Sequence, residues 1–117
     1  MKINSLYVCV KNMKRAVSFY EKLFNKKVDV FDERFSIFEI AGFSFGLFDP
    51  KKDDEKFTFG NNIIPDIEVK DIDREYSKIK DIGAKIVLEP KIHVNRLRLF
   101  QFQDSEGNII EIYSKKF

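Results

Sequence analysis

Tryptophan is absent from this 117-residue chain, cysteine occurs once, and no apolar run approaches the length of a membrane span. With Cys9 alone, no intrachain disulfide can form, and a reducing compartment suits the protein. No excess of one charge sign stands out either: 21 Lys and Arg face 19 Asp and Glu, for a formal net charge of +2. Lys14, Arg15, Lys22, Lys26, Lys27, Lys51, Lys52, Lys115 and Lys116 are spread along the chain as solvated faces require. A nucleic-acid reader needs a concentrated basic stripe with interleaved aromatics, and no stretch supplies one. The residues after Met1 read as a strand and lack the charged-then-apolar order of a secretory leader. The expectation is a cytoplasmic protein with neither a nucleic-acid nor a membrane partner.

What is present in quantity is phenylalanine. Thirteen Phe in so short a chain mean either a Phe-packed core or an aromatic-lined pocket, and composition does not choose between them. Apolar residues at 44% and charged residues at 34% are ordinary for a folded domain. A chain of this length fits one compact domain and can remove roughly two thirds of its unfolded surface from water.

One pattern is written twice. Leu6, Val8 and Val10 alternate with Ser5, Tyr7 and Cys9 at the period of a half-buried strand. Asn12 follows as a helix N-cap, and Met13, Ala16, Val17, Tyr20 and Leu23 recur at helical spacing, which predicts a helix over 13–24 closed at Asn25. Three strand-like runs come next, near 27–31, 34–40 and 43–49, with Gly42 at the turn between the last two. The order then returns: a strand over 63–69, a cap at Asp71, a stripe of Ile72, Tyr76, Ile79 and Ile82, and a closing Gly83. A shift of 59 carries Val10 to Val69, Asn12 to Asp71 and Tyr20 to Ile79, preserving strand face and helix face together. Near the end the shift becomes 65, setting Gly42 against Gly107 and Leu47 against Ile112. The domain is therefore expected to span 1–117, with an internal repeat of 1–49 and 61–117 joined by a charged linker over 50–60. Each copy has one amphipathic helix for one face of a four-stranded sheet, and two copies can curve the other faces into a shared cup.

The lead-in Val10-Lys-Asn-Met-Lys-Arg-Ala-Val-Ser-Phe-Tyr-Glu-Lys-Leu-Phe, the repeated Val69-Lys-Asp-Ile-Asp and the terminal Phe102-Gln-Asp-Ser-Glu-Gly-Asn-Ile-Ile-Glu-Ile resemble the vicinal oxygen chelate superfamily. That group includes glyoxalase I, extradiol dioxygenases and the bleomycin and fosfomycin resistance proteins. The resemblance implies an α+β fold of two tandem βαβββ modules forming a curved mixed sheet around a cup. It also implies that metal-using relatives draw their ligands from positions corresponding to Ser5, Gly46, Ile64 and Glu111. Of these only Glu111 is a good ligand, and a first-row divalent ion in an enzyme site wants three or more suitable donors. The dioxygenase site needs two histidines, and the chain has His93 alone. Glyoxalase-type isomerisation needs a metal and a carboxylate base, which Gly46 and Ile64 do not provide. A substitute site from Asp66, His93 and Glu111 requires an unusual register.

Strand parity assigns Ser5, Tyr7, Cys9, Ser44, Gly46, Phe48, Ile64, Asp66, Glu68, Ile109, Glu111 and Tyr113 to the face away from the helices, with Leu99 and Gln101 joining them. The expected ligand-binding set is Ser5, Tyr7, Ser44, Gly46, Phe48, Ile64, Asp66, Leu99, Gln101, Glu111 and Tyr113, with no catalytic residue, metal or cofactor. Gly46 is expected to open space where a relative has a side chain. Glu111 is either a strand-end residue held by hydrogen bonds or a ligand contact; Cys9 reads as a small buried hydrophobe, and His93 as a solvent-facing loop residue. Asp104, Ser105, Glu106 and Gly107 read as a turn. The function expected is metal-independent binding of a small organic ligand, for sequestration or sensing. The rivals are a metal-dependent lyase or isomerase with a rearranged site, and an interaction module without a ligand. The resemblance also implies a homodimer.

Overall fold

Each strand–helix–strand segment in the computed structural model begins with the alternation of a half-buried strand and closes its helix with a residue suited to positive φ. The structure describes residues 1–58, 63–92 and 97–115. They form two compact units, Met1–Phe59 and Gly60–Phe117. The first holds β1 (Ser5–Cys9), α1 (Met13–Phe24), β2 (Phe35–Ile40) and β3 (Phe43–Phe48), followed by a short 3₁₀ turn at Pro50–Asp53. The second holds β4 (Asp66–Glu68), α2 (Ile72–Ile82), β5 (Ile86–Ile92), β6 (Arg98–Gln103) and β7 (Ile109–Ser114).

Both helices are capped in the same way. Asn12 Oδ1 accepts from Arg15 N at 3.0 Å, and Asp71 Oδ1 accepts from Arg74 N at 3.1 Å, each satisfying an N–H that the first turn leaves free. Asn25 and Gly83 close the helices in the left-handed region, with φ of 54° and 90°. Beneath α1 the apolar stripe Met13, Ala16, Val17, Tyr20 and Leu23 is buried. The Tyr20 ring lies 5.1 Å from Phe45 and 6.4 Å from Phe38, and Phe24 packs on both of those rings. Under α2, Tyr76 meets Phe100 edge-on at 5.2 Å, beside buried Ile79, Phe102, Ile110 and Ile112. Much of the phenylalanine excess is thus core.

The sheets run β1-β3-β2 and β4-β7-β6-β5. In each unit the first strand pairs in parallel with the last, and the register corresponds. Tyr7 stands opposite Gly46 and Cys9 opposite Phe48, while Asp66 stands opposite Glu111 and Glu68 opposite Tyr113. These partners differ by the same 59 and 65 found in the sequence.

The first sheet has three strands where four were expected. No strand forms over 27–31, and an isolated bridge between Val30 and Ile37 stands in its place. Polar side chains have taken backbone groups a ladder would use. Asp29 Oδ2 accepts from Glu39 N at 2.7 Å and from Lys26 Nζ at 2.7 Å. The buried Ser36 hydroxyl accepts from Asp32 N at 3.1 Å and donates to Asp32 O at 2.9 Å. The strand expected over 63–69 is confined to Asp66–Glu68. On the opposite edge, β5 contains Pro90, which has no N–H to donate, and its pairing with β6 shifts register between Leu88 and Lys91.

Candidate functional site

Strand alternation leaves each sheet with a face turned away from its helix, and the two faces carry different chemistry. In the first unit Ser5 lies opposite Ser44, Tyr7 opposite Gly46 and Cys9 opposite Phe48. Ser44 Oγ donates to Glu39 Oε1 at 2.7 Å, so its hydroxyl serves the β2–β3 hairpin. Tyr7, Phe35 and Phe48 form a triad with ring centroids 5.4 to 5.9 Å apart, two of the three pairs edge-to-face. Partial burial, and then the negative charge of Glu55, push the Cys9 thiol above its ordinary pKa; the residue is half-buried, not the fully buried hydrophobe expected.

The space expected above Gly46 is filled. A methyl group built there would lie 2.6 Å from Phe35 Cζ, 2.7 Å from Phe35 Cε1 and 3.0 Å from Tyr7 Cβ. Gly46 therefore opens no room for a ligand; it makes room for the Phe35 ring. Phe35 is not among the expected face residues of this unit, which lie on β1 and the central β3, whereas Phe35 lies on the edge strand β2. A phenylalanine on β2 one same-face rung away from a glycine on the adjoining β3, so placed to lean across it, was the available signal.

The corresponding face of the second unit is polar at its centre. Asp66 on β4, Glu111 on β7 and Gln101 on β6 share one rung. Gln101 Nε2 donates to Glu111 Oε1 at 2.9 Å. The Asp66 carboxyl is pushed up to about 7, first by lost hydration, then by the charge of Glu111 and a hydrogen bond to it. One rung further, Leu99 stands opposite Tyr113, which stands opposite Glu68. The Tyr113 hydroxyl donates to Glu68 Oε1 at 3.3 Å, and lost hydration, followed by the Glu68 charge, raises its pKa. Leu99 is buried and Ile64, just before β4, is half-buried. The second unit thus brings Asp66, Gln101, Glu111, Leu99 and Tyr113 together on adjacent rungs. His93 lies outside the described residues.

The turn after β6 is more enclosed than a surface loop. Asp104 Oδ1 accepts from Glu106 N and Asn108 N, both at 2.8 Å, and Asp104 Oδ2 accepts from Asn108 Nδ2 at 2.9 Å. Asp104, Glu106 and Asn108 are all buried. These contacts shape the β6–β7 hairpin, in which Gly107 takes a φ of 99°.

The model of the glyoxalase/bleomycin resistance protein/dioxygenase superfamily matches residues 2–112. The chain belongs to this superfamily. Among its relatives, metallothiol transferase FosB of Shouchella clausii is 29% identical over 118 residues, covering 96% of this chain and 79% of that protein. A solved structure described as a conserved domain protein is 26% identical, with a TM-score of 0.82 over 99% of this chain and 100% of that one. Lactoylglutathione lyase from Agrobacterium tumefaciens shares the superfamily fold at 16% identity, with a TM-score of 0.76 over 97% of this chain and 92% of that one.

A metallothiol transferase among the relatives raises the question of whether this superfamily member's residues fit a metal ion. At the four positions that the resemblance implies for metal ligands, they do not. Ile64 offers no donor atom, Gly46 has no side chain and lies under the Phe35 ring, and Ser5 carries a neutral hydroxyl, a poor ligand beside imidazole or carboxylate. Glu111 remains, and one of its oxygens is engaged by Gln101. Among the described residues no group of three or more His, Cys, Asp or Glu side chains could hold a metal ion. Nor is any described helix long and apolar enough to cross a membrane.

Proposed function

We propose that this superfamily member is a metal-independent binding protein that sequesters or senses a small organic molecule. The observation that carries this reading is the Asp66–Glu111–Gln101 rung. Two carboxyl groups share the middle of an open sheet face, with an amide donating to one of them. Holding a second negative charge there is costly, so a ligand that brings a protonated amine or a strong hydrogen-bond donor is the preferred partner. Leu99 and the Tyr113 ring offer apolar surface on the next rung. The nearly balanced net charge of the chain favours a ligand of one positive charge over a polycation.

Elemental analysis after mild dialysis, combined with a thermal-shift screen of small organic amines, tests the proposal. The expected outcome is no stoichiometric zinc, nickel or iron, and a midpoint raised by at least one amine in the parent but not in Glu111→Gln. Stoichiometric metal would overturn it in favour of the metal-dependent reading that the metallothiol transferase relative supports. A midpoint raised by no small molecule, with a copurifying protein that raises it, would favour an interaction module.

The proposal includes a homodimer in a reducing, cytoplasmic setting. Tyr7, Val30 and Phe31 of the first unit are about half exposed, at 55%, 49% and 47%, an apolar surface that association would cover. Light scattering on the eluting protein should return twice the 13.8 kDa chain mass; a monomer at micromolar concentration would remove this element alone.

A further inference from the structure

The two units place corresponding residues at corresponding rungs, yet what occupies those rungs differs. In the second, β4, β7 and β6 contribute Asp66, Glu111 and Gln101. In the first, β1, β3 and β2 contribute Tyr7, Gly46 and Ile37. The Phe35 ring leans over this rung from its own position opposite Phe48, reaching the space in which a side chain at 46 would stand. Tyr7 and Phe48 border the ring at centroid distances of 5.5 and 5.9 Å. Gly46 is itself buried, so the ring, not water, covers that backbone.

We propose that Phe35 is a specificity-determining plug, an intramolecular occupant of the space at the Gly46 rung, which closes that rung of the first unit to a ligand, whereas the corresponding rung of the second unit presents its acidic groups to one. The significance of the plug rests on the ligand-binding reading above, but its existence does not. A ring that is a true occupant leaves, when removed, a slot shaped for a small neutral aromatic molecule, as truncated apolar cores do for benzene-sized guests. The slot would be bordered by Tyr7 and Phe48 and floored by Gly46, and a methyl group on residue 46 would refill its floor.

Phenol is the probe, titrated into the parent chain, Phe35→Ala, and Phe35→Ala combined with Gly46→Ala, while the amide resonances of Tyr7, Gly46 or its replacement, and Phe48 are followed. Should the alanine variant fold poorly, Phe35→Leu shortens the ring with less loss of packing and serves in its place. The expected result is that phenol shifts these resonances in the single variant at a concentration at least tenfold below any effect on the parent, and that Gly46→Ala abolishes the gain. An equal response in the parent, or no response in a folded Phe35 variant, would overturn the plug. Asp66→Asn separates this from the amine reading: it is expected to leave the phenol response of Phe35→Ala unchanged. Failure of every amine to bind would sink the proposed function without altering the phenol result.

Discussion

Replacing Asp66 by Asn removes one charge from the carboxyl pair while keeping a side chain that can donate to Glu111. In the folded protein the Asp66 carboxyl titrates near 7, against 3.8 for an unperturbed aspartate. The folded state therefore holds a proton that the unfolded chain has released, and stability falls as pH rises between those values. The penalty is absent below about pH 3.8 and complete above about pH 7. The full shift corresponds to a ceiling of about 4 kcal/mol, and because Asp66 is exposed, screening by water reduces this to about 1–2 kcal/mol. At about 4 °C per kcal/mol for a chain of this size, Asp66→Asn should raise Tm by roughly 4–8 °C at pH 8 and by almost nothing at pH 4. Differential scanning calorimetry of both proteins across that range measures the difference directly. An equal gain at both ends, or a loss at pH 8, would refute the assignment of a strained acidic pair.

Asn12→Ala should cost about 1 kcal/mol in urea unfolding, through loss of the cap on Arg15 N, with an unchanged m-value. Ser36→Ala should cost about 1–2 kcal/mol, because it leaves the Asp32 N–H and carbonyl without the buried hydroxyl that pairs them, and amide exchange at Asp32 should accelerate. Gly46→Ala should cost about 1–3 kcal/mol, chiefly by crowding the Phe35 ring, and the loss should shrink in a Phe35→Ala background, where the 3.0 Å approach to Tyr7 Cβ still stands, a coupling that a double-mutant cycle reads out.

Helix positions and the pairing of first and last strands were legible because they depend on local rules. A short polar side chain before an apolar stripe caps a helix, and alternate residues of a strand take opposite faces, so Asn12, Asp71 and the Asp66–Glu111 face followed from spacing. The run over 27–31 misled because its Val and Phe content suggests a strand, whereas Asp29 and Ser36 satisfy backbone groups that a partner strand would need. Gly46 misled for a related reason. A missing side chain in the sequence is a vacancy only if no neighbour fills it, and Phe35 reaches it from another strand.

By itself, the sequence determined the repeat, the helix caps, the family resemblance and the scarcity of metal-binding side chains at the positions that resemblance implies for ligands. All of these are properties of residue type and spacing along one chain. Tertiary structure alone decided which side chains meet across strands: Gln101 against Glu111, Asp66 beside Glu111 where lost hydration and then that neighbouring charge raise its pKa, and the Phe35 ring over Gly46. Such encounters depend on strand register and ring orientation, where a displacement of one residue turns a side chain to the opposite face.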